Sequence, residues 1–279
     1  MGANELEKLS VEELIDAIQK LGYFVEKTPV VSGRKFKLDL GRWKGGKIRF
    51  GAVSDTHLGS RWQQLTSLHE FYSICKRRGV ETVLNCGDLM DGESVYRGHV
   101  YELFVHGADV QVKYVVDNYP KIKGIKTLVI GGNHDQSFIK VAGVDVVAGV
   151  SGEREDIEFL GNNLAYLDVG GITIALMHGS GANAYARSYK LQKIVEQLAS
   201  ENKPEFLFLG HYHCSVIITY RNVEGIQMPC FQAQTPYLTA KGLMPVVAGL
   251  IVEAQLDDAG LASVKYEWIP FFKMRERDF

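Results

Sequence analysis

Five short stretches of this chain set cation-binding or proton-carrying side chains beside glycine. In order they are Asp55-Thr56-His57-Leu58-Gly59, Gly87-Asp88-Leu89-Met90-Asp91, Gly131-Gly132-Asn133-His134-Asp135, His178-Gly179 and Gly210-His211-Tyr212-His213. Each follows an apolar run that reads as a β-strand, so each lies where the turn frees side chains from the pleat to aim at one point. Asp55, His57, Asp88, Asn133, His178, His211 and His213 make an oxygen-and-nitrogen donor set without a thiolate. Such a set suits manganese, iron or zinc better than a structural cysteine-zinc site. It is too large for one ion and fits two ions that share a carboxylate. Two divalent cations about 3.5–4 Å apart lower the pKa of a bridging water and clamp phosphoryl oxygens. Two cations, less two aspartates and one hydroxide, leave a charge of about +1, which attracts a phosphoester anion.

The elements that must position these residues alternate. Strand-like runs at 48–51, 82–86, 127–130, 172–177 and 206–209 each end in one of the five stretches. A helix is expected at about 63–78, a mostly helical insertion at about 96–118, a looser stretch at 145–160 and a helix at about 185–198. Gly170-Gly171 marks the turn of a hairpin, and strands recur near 216–220, 246–253 and 262–268. Alternation followed by a run of strands predicts an α/β fold with two mixed sheets packed face to face and helices outside. In open α/β sheets ligands gather at the carboxyl ends of strands, where the candidate donors are found. Upstream, Ser10-Val11-Glu12-Glu13 is a capping box before Val11, Leu14, Ile15, Ile18 and Leu21 at helical spacing. With a strand-like 35–40 and the basic, glycine-rich 41–47, this predicts an N-terminal appendage over 1–46 and a main domain over 47–279.

Taken together and in this order, Asp-x-His, Gly-Asp-x-x-Asp, Gly-Asn-His-Asp, His-Gly and Gly-His-x-His resemble the calcineurin-like metallophosphoesterase superfamily. The resemblance runs from about residue 47 to 215 and implies a four-layer αββα sandwich of two mixed β-sheets flanked by helices. By position it implies one metal on Asp55, His57, Asp88 and His213, and a second on the bridging Asp88 with Asn133, His178 and His211. His134 would face the substrate, stabilising the phosphoryl group or protonating the leaving oxygen, with Asp91 orienting its imidazole. The implied activity is hydrolysis of phosphodiesters by a metal-bridging hydroxide, with manganese the favoured ion. The Ser/Thr phosphatases of the superfamily carry a phosphate-gripping arginine directly after the second aspartate of Gly-Asp-x-x-Asp, where this chain has Gly92. Ser54-Asp55-Thr56-His57-Leu58 instead resembles phosphodiesterases, repair nucleases and the small subunit of archaeal replicative DNA polymerases. Rival readings are a DNA nuclease, a phosphomonoesterase, a cyclic-nucleotide phosphodiesterase and a non-catalytic subunit of a DNA-processing assembly.

Composition sets outer bounds. With 279 residues, 46% of them apolar and 23% charged, the chain is long enough for a sizeable core. A net charge of −2 gives no global pull towards polyanions, so a nucleic acid or nucleotide partner would need a local site. No apolar run spans a bilayer and the N-terminus lacks a signal-peptide core, which predicts no membrane partner. Cys75, Cys86, Cys214 and Cys230 show no CxxC spacing and read as reduced, buried thiols of a cytoplasmic protein. His69, His99 and His106 are expected to be ordinary core histidines. Arg187 is a candidate phosphate contact, or else part of a solvated helix face, and Phe231, Tyr237 and Lys241 are candidates to line a cleft.

Overall fold

The computed structural model of the chain describes residues 35–37, 46–198, 203–258 and 260–279. The expected helix after Ser10 and residues 41–45 of the linker lie outside the described residues.

Strand β2 (Lys47–Val53) shows why the apolar runs are continuous rather than alternating. Ile48, Phe50 and Ala52 enter one core, whereas Val53 enters another on the opposite face. A strand buried on both faces needs both sets apolar. β2 pairs in parallel with β3 (Thr82–Asn85), which pairs with β4 (Lys126–Gly131), which pairs with β5 (Ile157–Asn162). On its other side β2 runs antiparallel to β11 (Ala248–Asp257), and β12 (Gly260–Pro270) completes the sheet. The second sheet runs β1 (Lys35–Lys37), β6 (Leu164–Val169), β7 (Ile172–His178), β8 (Phe206–Gly210), β10 (Val223–Gln227) and β9 (Val216–Tyr220) in spatial order. Within it β7 and β8 are parallel, and β6 and β7 form the expected hairpin around Gly170-Gly171. Both sheets are therefore mixed.

The inner faces of the sheets meet in one core. Phe50 sits edge-on to Phe206 and Phe208, with ring centroids 6.4 and 5.7 Å apart. Burying rings of this size contributes about 1.5–3 kcal/mol each. Outside the first sheet lie α1 (Leu65–Arg77), α2 (Ala108–Asn118) and α4 (Val146–Glu153), with the short α3 (Ser137–Ala142) following β4. α1 buries Leu68, Phe71, Tyr72 and Cys75, a stripe at i, i+3, i+4 and i+7. Phe71 lies directly on Gly249, where a Cβ would overlap its ring. Outside the second sheet, α5 (Tyr189–Gln197) turns Leu191 and Val195 onto the backs of Leu207 and Leu209. The layers run helix, sheet, sheet, helix, as expected.

Several local expectations differ from the structure. The stretch at 145–160 is not loose: Asp145 accepts from Ala148 N (3.1 Å) to cap α4, and β5 follows. Valines and a glycine are poor helix formers, but burial of Val146, Val147 and Val150 overrides their propensity. α5 starts at Tyr189 rather than near Tyr185, because its buried stripe begins only at Leu191. Phe231 does not line a cleft; it is buried beside Phe71 and Phe271. His69 and His106 are on the surface, where His69 Nε2 meets the Asn118 carbonyl at 2.9 Å and His106 faces Glu93. All four cysteines are free and buried, and among the described residues no helix is long and apolar enough to cross a membrane.

Candidate metal centre

Parallel pairing brings the carboxyl ends of β2, β3 and β4 to one edge, with Val53 opposite Asn85 and Asn85 opposite Val129. Beyond β2 and β3 the chains stay side by side: His57 N donates to the Asp88 carbonyl (3.1 Å) and Asp91 N to that of Leu58 (2.9 Å). In the other sheet His178 ends β7 opposite Gly210 of β8, so His211 and His213 follow at the same level. His211 N donates to both carboxylate oxygens of Asp55 at 3.0–3.1 Å, which fixes the two sheet edges together. Five of the candidate donors, Asp55, His57, Asp88, His211 and His213, adopt left-handed backbone with φ of 51°, 45°, 52°, 87° and 53°. For residues other than glycine this costs on the order of 1–3 kcal/mol each, and such strain collects where side chains must be aimed.

The aimed atoms converge in linked groups. Asp55, His57 and His213 have ligand atoms within 4.8 Å of one another, as do His57, Asp88 and His134, and Asp88, His178 and His211. His57 Nε2 lies 3.0 Å from His213 Nε2, and the latter 3.3 Å from Asp55 Oδ1. His178 Nε2 lies 3.1 Å from Asp88 Oδ2 and 3.0 Å from Asn133 Oδ1, which is 2.7 Å from His211 Nδ1. No cysteine joins these groups among the described residues.

For three of the four candidate imidazoles, those of His57, His178 and His211, the far side fixes which nitrogen faces inward. His57 Nδ1 meets Asp91 Oδ1 at 2.8 Å, His178 Nδ1 meets the Cys86 carbonyl at 2.8 Å, and His211 Nε2 meets the Gly181 carbonyl at 2.9 Å. Each outer nitrogen is thereby a donor, leaving the inner one to offer a lone pair or hold a second proton. Lone pairs and carboxylate oxygens facing each other at about 3 Å repel unless a proton or a cation lies between them. The residues present thus fit divalent cations, in number and in donor chemistry.

Charge follows the same logic. Burial opposes ionisation of Asp55, but His213 and His178 overcome it and bring its pKa down to about 2. Burial likewise opposes ionisation of Asp88, yet His178 and His134 hold it well below the usual carboxylate range. Against the cost of burial, Asp88 raises both His178 and His134 to about 9. Burial, aided by the neighbouring His134 and His178, lowers the pKa of His57 and His211 below the usual imidazole value. Beneath the centre, Asp135 accepts from the backbone N–H groups of Leu89, Met90 and Gly132, while burial and the nearby Asp88 push its carboxyl up to about 7.

Asp91 has a wider set of partners than expected. Its carboxylate bonds His57 most closely, stands 3.3 Å from His134 Nδ1 and 3.4 Å from His99 Nε2, and also meets Gln232. The short bond to His134 Nδ1, at 2.6 Å, comes instead from the Asp91 backbone carbonyl. His99 is fully buried behind this group, so the expected core histidine is a neighbour of the site. Gln232 and Tyr96 are neighbours that sequence reasoning missed: neither stands at a strand end, and neither has a motif around it. Gly92 has φ 67°, and a Cβ there would collide with the His134 carbonyl oxygen, so the backbone excludes an arginine at this position.

A cleft of about 390 Å³ opens over the centre, with His57, Asp88, Asn133, His134, His211 and His213 on its floor. Arg187, Tyr237 and Lys241 line its walls, Arg187 being exposed and next to Cys214. The model of the calcineurin-like phosphoesterase family matches residues 48–215. The DNA polymerase II small subunit of Archaeoglobus fulgidus is 25% identical, covering 72% of this chain and 50% of its own length. That of Methanothermobacter thermautotrophicus is 26% identical, covering 69% and 49%. This chain thus spans about half the length of the curated relatives it matches. A solved archaeal phosphodiesterase superposes with a TM-score of 0.48 at 17% identity, covering 80% of this chain and 100% of that one. Since the family match spans more than half of the residues and contains every candidate donor, the chain belongs to the calcineurin-like phosphoesterase family.

Proposed function

We propose that the chain is a dinuclear metal-dependent hydrolase of phosphodiesters. The observation that carries this reading is the convergence of inward-facing nitrogens and carboxylate oxygens with no thiolate among them. Asp55, His57, Asp88 and His213 would hold one ion, and Asp88, Asn133, His178 and His211 the other. When bound, the two ions supply an activated water and positive charge for the phosphoryl oxygens; manganese suits the donors best, with iron or zinc also compatible. The side chains do the remainder. Asp91 fixes His57 and, through its carbonyl, turns the Nε2 of His134 to the cleft. A protonated His134 is then a general acid for the leaving oxygen. The backbone at Gly92 leaves no place for a phosphate-gripping arginine, which favours diesters over phosphoproteins. Arg187 at the mouth suits a flanking phosphate. The four buried thiols suit a reducing, cytoplasmic compartment.

The names of the relatives support a second reading, a small subunit of a DNA-processing assembly, taken here as one that does no chemistry itself. One experiment separates the two: purified protein with Mn²⁺ is offered bis-p-nitrophenyl phosphate, p-nitrophenyl phosphate and single-stranded DNA, with metal content measured for wild type and Asp88→Asn. The hydrolase reading expects diester cleavage, two equivalents of metal, and loss of both in the variant. Absence of turnover with every divalent metal, in protein that folds, favours the subunit reading.

A further inference from the structure

Beside the centre, one wall of the cleft is built from stacked rings. Tyr96 and Tyr237 are parallel-stacked, with centroids 4.1 Å apart and planes at 21°. Tyr96 in turn packs on His99 (4.5 Å) and stands 6.3 Å from His134. A buried carboxylate locks the pair: Glu102 Oε2 accepts from the Tyr96 hydroxyl at 2.7 Å, and its Oε1 from Tyr237 N at 2.9 Å. Tyr237 rides on the short helix α6 (Pro236–Ala240), whose start is capped by Thr235 and stiffened by Pro236. Although held this firmly, Tyr237 remains 38% exposed. Lys241 Nζ lies over its ring at 5.8 Å, and Arg187 lines the same cleft.

A firmly held, part-exposed aromatic face with an exposed lysine over it, next to a phosphoester centre, is the arrangement that receives single strands. Bases stack on the ring whatever their identity, and the cation follows the backbone. We propose that Tyr237 and Lys241 form a stacking subsite for one nucleobase of a single-stranded nucleic acid whose neighbouring phosphodiester enters the metal centre. This rests on reading that centre as a phosphoester site. A phosphopeptide has no base for the ring and would need the gripping arginine that Gly92 excludes. Tyr237 and Lys241 lie beyond residues 48–215, the stretch that the family model matches.

The test uses the full chain and a short, phosphorothioate-linked oligodeoxynucleotide carrying one 2-aminopurine, titrated with and without Mn²⁺. Stacking on Tyr237 quenches 2-aminopurine fluorescence, a signal that needs no cleavage. Tyr237→Leu is expected to abolish the quenching and weaken binding by about 5- to 150-fold, while Tyr237→Phe restores both. Lys241→Ala is expected to weaken binding and flatten its salt dependence. Melting curves of the variants check folding. The proposal is overturned if an abasic oligomer binds wild type as tightly as the intact one, if quenching is equal in wild type and Tyr237→Leu, or if a phosphotyrosine peptide competes equally. Quenching without turnover would sink the hydrolase reading and leave the subsite standing; turnover on bis-p-nitrophenyl phosphate without quenching would do the reverse.

Discussion

His134 keeps Nδ1 on the Asp91 carbonyl, so any proton it gives up leaves from Nε2, on the cleft side. His134→Ala is expected to slow cleavage of alkyl or nucleic-acid diesters by about 10²–10⁴-fold. Cleavage of p-nitrophenyl esters, whose leaving group needs no proton, should fall far less; equal losses in steady-state assays would remove the general-acid role. His178, raised to about 9, carries a proton near neutrality when no cation is bound. Loading a cation must expel this proton, so affinity for Mn²⁺ should rise with pH up to at least about 9. Calorimetry in two buffers of different ionisation enthalpy counts the protons released at pH 7, and a count of zero contradicts this scheme. The candidate donors are legible because each stands in a glycine-containing stretch at a strand end. His99 is not, since it comes from an insertion and reaches Asp91 only through tertiary packing. Its Nδ1 accepts from Val95 N, so replacing it with phenylalanine leaves that donor unpaired and should cost about 1–3 kcal/mol in denaturant unfolding.

At the scale of elements, the helix-bearing face of the first sheet sets how closely α1 approaches. Phe71 rests on Gly249, and Gly51 of β2 faces Cys75 and Phe71 on the same side. Gly249→Ala should therefore overpack this contact and destabilise by about 1–3 kcal/mol. Adding Phe71→Leu should recover part of the loss, and a double-mutant cycle measures how much. If the two changes prove additive, the contact does not limit the packing. Periodicity predicted α1 well because its buried stripe is amphipathic. α4 escaped because its valines and glycines carry no helical preference and its fold depends on a cap and on burial. Loop-borne neighbours of the site, such as Tyr96 and Gln232, carry no period at all.

For the whole molecule, bound cations would act as ligands of the folded state alone, because the donors span residues 55 to 213 and meet only when both sheets are formed. At about 100 times its dissociation constant, a cation adds about 2.7 kcal/mol, or about 5–10 °C in melting temperature for a chain of this size. Chelation by EDTA should reverse the shift, and Asp88→Asn should not show it; a melting curve indifferent to metal would speak against a two-sheet centre. The layered architecture was legible from the alternation of strands and helices, whereas the choice of substrate sits in segments without regular pattern. The left-handed corners carry a further consequence, for engineering. An insertion of one residue between Asp55 and His57, or between His211 and His213, throws the next donor out of aim. The segments 93–98 and 238–245 carry none of the seven candidate donors. Libraries that vary their length can therefore redirect what the cleft accepts while the chemistry beneath is inherited intact.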